Sequence, residues 1–123
     1  MKIIATIARV IAGIIFVVFG LNAFLHFLKM PPPTGQAGAF MGALFTSGYF
    51  YVVAALQIAG GLLLLAGRFV PLGLTLLGPV IVNILLYHFF LNLDGLPLAL
   101  VVTVLALIVL AHYRAHFAGL LKP

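Results

Sequence analysis

Along this chain apolar residues run together, and polar residues interrupt them at only a few points. A surface helix would show a polar face with a 3.6-residue period, and a half-buried strand a polar residue at every second position. Four stretches show neither pattern: residues 3–28, 49–66, 70–91 and 97–113. Each comes near the ~20 apolar residues that span a hydrocarbon core of about 30 Å. The pattern predicts an all-α fold, a four-helix transmembrane bundle forming one integral membrane domain over residues 1–123.

The interruptions mark the ends of these helices. Lys2 precedes the first run, and Leu21-Asn22-Ala23 loosely resembles a signal-peptide cleavage site, but the apolar run continues to Leu28. An uncleaved first helix is expected, with Arg9 snorkelling to the interface. Pro31-Pro32-Pro33 ends it, because proline supplies no N–H and fixes an extended backbone. The segment Thr34–Gly48 is too rich in glycine and polar residues to span. Phe40, Met41, Leu44 and Phe45 recur in it at helical spacing, which predicts a short interfacial helix between the first two spans. Gly67-Arg68 closes the second span, and Pro71 suits the first turn of the third. Pro79 predicts a kink within the third. Asn92 to Gly95 forms a turn, with Asp94 expected to cap and Pro97 in the first turn of the last span. The tail from His112 is basic and weakly amphipathic.

Composition agrees with this. The chain is 66% hydrophobic and 6% charged, against about 25% charged residues in a soluble domain, so its expected partner is the lipid bilayer. The net charge is +5, but the cations stand singly beside apolar runs. They read as interfacial anchors and not as a nucleic-acid footprint. With four spans, Lys2, Arg9, Arg68, Arg114 and Lys122 fall on one side, and Lys29 and the only acid, Asp94, on the other. The positive-inside bias then places both termini in the cytoplasm. The absence of cysteine removes disulfides, thiolate metal sites and iron–sulfur ligation by this chain.

Candidate chemistry lies where polar residues enter the spans. Counted at 1.5 Å per residue, Gln57 and Asn83 each lie about 12 Å below the outer ends of their helices, and Asn22 about 9 Å below its own. His26 follows Asn22 at a helical i, i+4 spacing, and Tyr87 and His88 occupy the last turn of the third span. Intramembrane polar residues usually face the bundle interior and often mark a site. Asn22, His26, Gln57, Asn83 and His88 therefore make a candidate polar pocket in the outer half, flanked by Tyr49, Phe50 and Tyr87. The alternative is that the amides only bond helix to helix while Tyr and His anchor the interface. Gly13, Gly20, Gly60 and Gly61 are expected to let helices approach closely. His26 and His88 also form a conceivable axial pair for haem, and His112 and His116 a two-ligand zinc spacing, which is a poor site without further donors. No nucleophile stands beside a base and no carboxylates pair, which points to a protein that is not an enzyme on its own.

Several runs resemble the DoxX-like family of small four-helix bacterial membrane proteins. They are Phe19-Gly20, Phe40–Leu44, Gly48-Tyr49-Phe50, Gln57-Ile58-Ala59-Gly60-Gly61 with the leucines after it, Gly67-Arg68-Phe69, and Pro71–Phe90 with Pro79, Asn83 and His88. The resemblance extends from the first span to the fourth. It implies a bacterial inner (plasma) membrane and, for some members, a membrane oxidoreductase partner, including quinone-linked assemblies. The family pattern commonly has Glu where this chain has Gln57, so an ionisable group is missing here. The expected function is a non-catalytic accessory subunit of a membrane redox assembly, holding a quinone or lipid-like ligand in the outer-half pocket. The competing expectation is a small-molecule transporter or channel element acting as a homo-oligomer, since the inner halves of the spans carry no polar path.

Overall fold

A computed structural model describes residues 2–123. The chain is all-helical: α1 (Lys2–Leu25), α2 (Gly35–Thr46), α3 (Tyr49–Ala66), α4 (Val70–Phe90) and α5 (Leu96–His112), with 3₁₀ turns at Leu93–Gly95 and Arg114–Leu121. Among the described residues, four helical stretches are long and apolar enough to cross a membrane: α1, α3, α4, and α5 with the turn before it. Ile3, Ile7, Ile11 and Ile14 of α1 and Leu100, Val104 and Leu107 of α5 are all exposed. Such an exterior has no favourable partner in water, and the protein is a multi-pass membrane protein.

The spans close into a ring in which α1 packs on α3, α3 on α4, α4 on α5 and α5 on α1. One end of the bundle carries both chain termini and the α3–α4 turn. The other carries α2 and the α4–α5 turn. The α3–α4 turn is short because left-handed positions on either side of Arg68 reverse the chain. Gly67 (φ 68°) caps α3, its N–H donating to the Leu63 carbonyl at 3.0 Å, and Phe69 (φ 54°) starts α4. Pro71 sits in the first turn of α4, where its missing N–H costs nothing.

Glycines set the two tightest seams. A Cβ on Gly61 would lie 3.0 Å from the Gly13 carbonyl oxygen, and one on Gly13 2.9 Å from the Gly61 oxygen, so α1 and α3 cross backbone to backbone. On the neighbouring face of α3, a Cβ on Gly60 would lie 2.6 Å from Leu77, and one on Gly73 3.1 Å from the Gly60 oxygen. In lipid, where hydrocarbon surrounds every helix, close packing of this kind supplies much of the association energy. Arg9 adds a polar pin. Its guanidinium donates to the carbonyls of Leu64 and Leu65, the latter at 3.2 Å, on the negative end of the α3 dipole.

The core is densest near the termini. Ala8, Ala12, Phe16, Leu64, Val70, Leu74, Leu77 and Val109 form one buried cluster there, with Val80, Ile81 and Val102 extending it along α4 and α5. Helix α1 ends at Leu25, short of the expected Leu28. His26 takes a left-handed conformation (φ 52°), its N–H donates to the Asn22 carbonyl at 2.8 Å, and the Leu28 N–H turns back to the Asn22 side-chain oxygen at 2.7 Å. Helix α2 occupies the segment expected to be interfacial. Asn92, and not the expected Asp94, caps the turn into α5, its side chain accepting from the Asp94 N–H at 3.1 Å. Helix α4 runs on through Pro79.

Candidate functional site

The structure puts the sequence-predicted polar residues in several places, each with its own chemistry. Asn22 and Gln57 are buried, at 8% and 6% exposure, and are the only buried polar side chains among the described residues. The Asn22 oxygen is already committed to the Leu28 N–H. His26 lies beyond the helix and is exposed, so it no longer shares a helical face with Asn22. His88 is half-buried at the α4–α5 turn. Its Nδ1 lies 2.9 Å from the Asn92 carbonyl oxygen, and its ring packs so closely on Gly95 that a Cβ there would collide with it. His88 thus fastens a turn.

Asn83 is exposed, on the outer flank of α4. Its Nδ2 donates to the Pro79 carbonyl one turn back, at 2.8 Å. That bond satisfies one of the amide's two N–H donors within its own helix and leaves its oxygen as a free acceptor. Thr6, Thr75 and Thr103 bond back to Lys2, Pro71 and Ala99 in the same way, the usual solution for a hydroxyl on a membrane helix.

Gln57 behaves differently. It lies on the face of α3 that carries the buried Ala54, Gly61 and Leu64, and it points to the bundle centre. A Cβ on Gly20 of α1 would lie 3.3 Å from the Gln57 Cβ. Its carboxamide makes no hydrogen bond among the described residues, yet no side-chain nitrogen or oxygen there is both sealed and unpartnered. Both atoms of the amide therefore keep a small opening to accessible space. The interhelical bond that would make Gln57 packing glue is not formed.

The seam between α3 and α4 is less deeply buried towards α2. At the terminal end Gly60 sits directly under Leu77. One heptad towards α2, Val53 and Ile84 occupy the same faces but are only half-buried. Two grooves lie on this part of the two helices. On the α3 side Tyr49, Val52, Val53 and Leu56 line about 290 Å³. On the α4 side Asn83, Leu86, Tyr87, Phe90 and Leu91, with Phe40 of α2, line about 330 Å³. Helix α2 bridges the two walls. Phe40 packs against Tyr87 at 5.9 Å between ring centroids, and Phe45 against Phe50 at 4.7 Å and Tyr51 at 5.9 Å.

The structure thus brings Asn83, Tyr87 and a residue of the interfacial helix, Phe40, around one groove. Phe50 holds α2 in place, and Tyr49 faces outward at 65% exposure. Phe40, Leu86, Phe90 and Leu91 were not singled out for the site from the sequence. The one signal in the sequence that bears on Phe40 is the helical spacing of Phe40, Met41, Leu44 and Phe45. Among the described residues no three His, Asp or Glu side chains gather as a metal site. Compared with protein-family models, curated proteins and solved structures, the chain matches none.

Proposed function

We propose that this protein is a DoxX-like accessory subunit of a membrane redox assembly in a bacterial inner membrane, not catalytic on its own. In this reading it holds a quinone or lipid-like molecule in the groove between α2 and α4. Both termini are cytoplasmic, which puts Lys2, Arg9, Arg68, Arg114 and Lys122 inside and the groove in the outer half of the membrane.

The carrying observation is the groove itself. It opens on the lipid-facing flank of α4, its wall is apolar and aromatic, and Asn83 offers one free carbonyl oxygen at its edge. Its volume of about 330 Å³ is at the small end for ligand sites, enough for a head group whose tail stays in the bilayer. The Tyr87 and Phe40 rings supply flat surfaces for a planar head group. A transporter or channel element draws less support, because the interior near the termini is filled by Phe16, Leu64, Leu74 and Leu77 and offers no polar lining.

Gentle purification followed by lipid extraction and native mass spectrometry tests this. A neutral quinone or lipid should stay with the wild type and be depleted in Asn83→Leu. Equal retention by both proteins would remove the groove as its site.

A further inference from the structure

The two grooves lie on α4 and α3 near their α2 ends, and Gln57, which lines neither, sits on the buried face of α3. We infer that the Gln57 carboxamide is the inner hydrogen-bonding contact of a cleft between the two grooves. It receives a neutral carbonyl or hydroxyl head group that enters sideways from the bilayer between α3 and α4. This rests on the groove being a ligand site.

Four observations carry the inference. Gln57 is 94% buried (6% exposed) and unpartnered, while both of its amide atoms keep an opening. An amide held in hydrocarbon without a partner is costly, so a site that keeps one open suits a ligand that satisfies it. Helical side chains lean towards the N-terminus of their own helix, which for α3 is the α2 end. The carboxamide thus leans towards the α2 end of the seam, where Val53 and Ile84 pack against the core but are only partly buried. Neither of the other two amides bonds it: Asn83 faces the outer flank of α4 and donates to Pro79, and the Asn22 oxygen accepts from Leu28.

Charge selects the class of head group. The two groove linings contain Asn83, two tyrosines and apolar residues, with no cation. Arg9, the cation set deepest in the spans, is spent on the α3 carbonyls at the opposite end. A phosphate head would enter an apolar cleft without a counter-charge. A quinone, quinol or acylglycerol head needs only the one donor and one acceptor face that a carboxamide offers.

The test is a binding titration of the full chain in detergent micelles, read by native mass spectrometry. The probes are a decyl-substituted benzoquinone, a monoacylglycerol and phosphatidylglycerol. The neutral probes should bind saturably and resist competition by phosphatidylglycerol. Gln57→Leu should weaken them about tenfold, as expected for one lost hydrogen bond in an apolar site. Gln57→Met, which preserves side-chain length, should do the same, and an unfolding midpoint no lower than that of the wild type shows that the fold is intact. If both Gln57 variants bind like wild type while Asn83→Leu is impaired, Gln57 is not the inner contact and the groove reading survives. If none of the three variants weakens binding, both fall. Displacement of the neutral probes by phosphatidylglycerol overturns the neutral class.

Discussion

Replacing Gln57 by leucine should not destabilise this protein, and the sign of that change is informative. Were the amide an interhelical tie, its loss would cost about 1 kcal/mol, as for other polar contacts between membrane helices. Here the carboxamide has no partner, so the substitution removes a penalty. Burying an unpaired amide costs about 1–3 kcal/mol in proteins. The residual opening at its two atoms lowers that figure, and leucine restores apolar contact beside Gly20 and Ala54. The expected net change is a gain of about 0–2 kcal/mol. Asn22→Leu provides the contrast within the same bundle. Its oxygen accepts the Leu28 N–H at 2.7 Å, so its loss should cost about 1 kcal/mol. Reversible unfolding in mixed micelles, titrated with a denaturing detergent, measures both. A loss of about 1 kcal/mol or more in Gln57→Leu would refute the reasoning, because it would mean that the amide is bonded within the folded chain.

Three further outcomes can be read in the same unfolding assay. Gly61→Ala should destabilise by about 1–3 kcal/mol, because its Cβ would meet the Gly13 oxygen at 3.0 Å and the Val17 backbone nitrogen at 3.1 Å, neither of which yields easily. Gly42→Ala on α2 should instead stabilise by about 0.5–1 kcal/mol, since nothing lies within 4 Å of the added methyl. Arg9→Leu should cost about 1–2 kcal/mol through the lost carbonyl bonds at the end of α3, and Arg9→Lys should recover part of it.

The sequence carries the elements of this fold plainly and their rotation hardly at all. Long apolar runs punctuated by Pro31–Pro33, Gly67 and Pro71 set the spans within a few residues. The glycines on α1 and α3 were readable as close crossings because small residues have little other use there. Depth along a helix was also legible, being a matter of counting. Facing was not. A water-soluble helix reveals its inner side by contrast between apolar and polar positions, but lipid and core are both apolar, so α3, α4 and α5 show almost no such contrast. Asn83 and Gln57 lie at similar depth, yet one looks outward and the other inward. The left-handed turn at His26 depends on a side chain four residues earlier catching an N–H two residues later. Arg9 finds its acceptors 55 and 56 residues further along the chain. Neither is a local signal.

The back-bonding of Thr6, Thr75, Thr103 and Asn83 has a consequence for biogenesis. Each threonine places its hydroxyl, and Asn83 one of its two N–H groups, on a carbonyl four residues earlier in its own helix. The polarity of these residues is largely cancelled as soon as the helix forms, so each segment can leave the insertion machinery for lipid without waiting for a neighbour. Arg9 is the exception. Its partners are synthesised only after two further helices have begun, so α1 must hold its guanidinium at the head-group boundary until α3 arrives. The charge of α1 is therefore settled only when α3 arrives, before α4 and α5 close the ring.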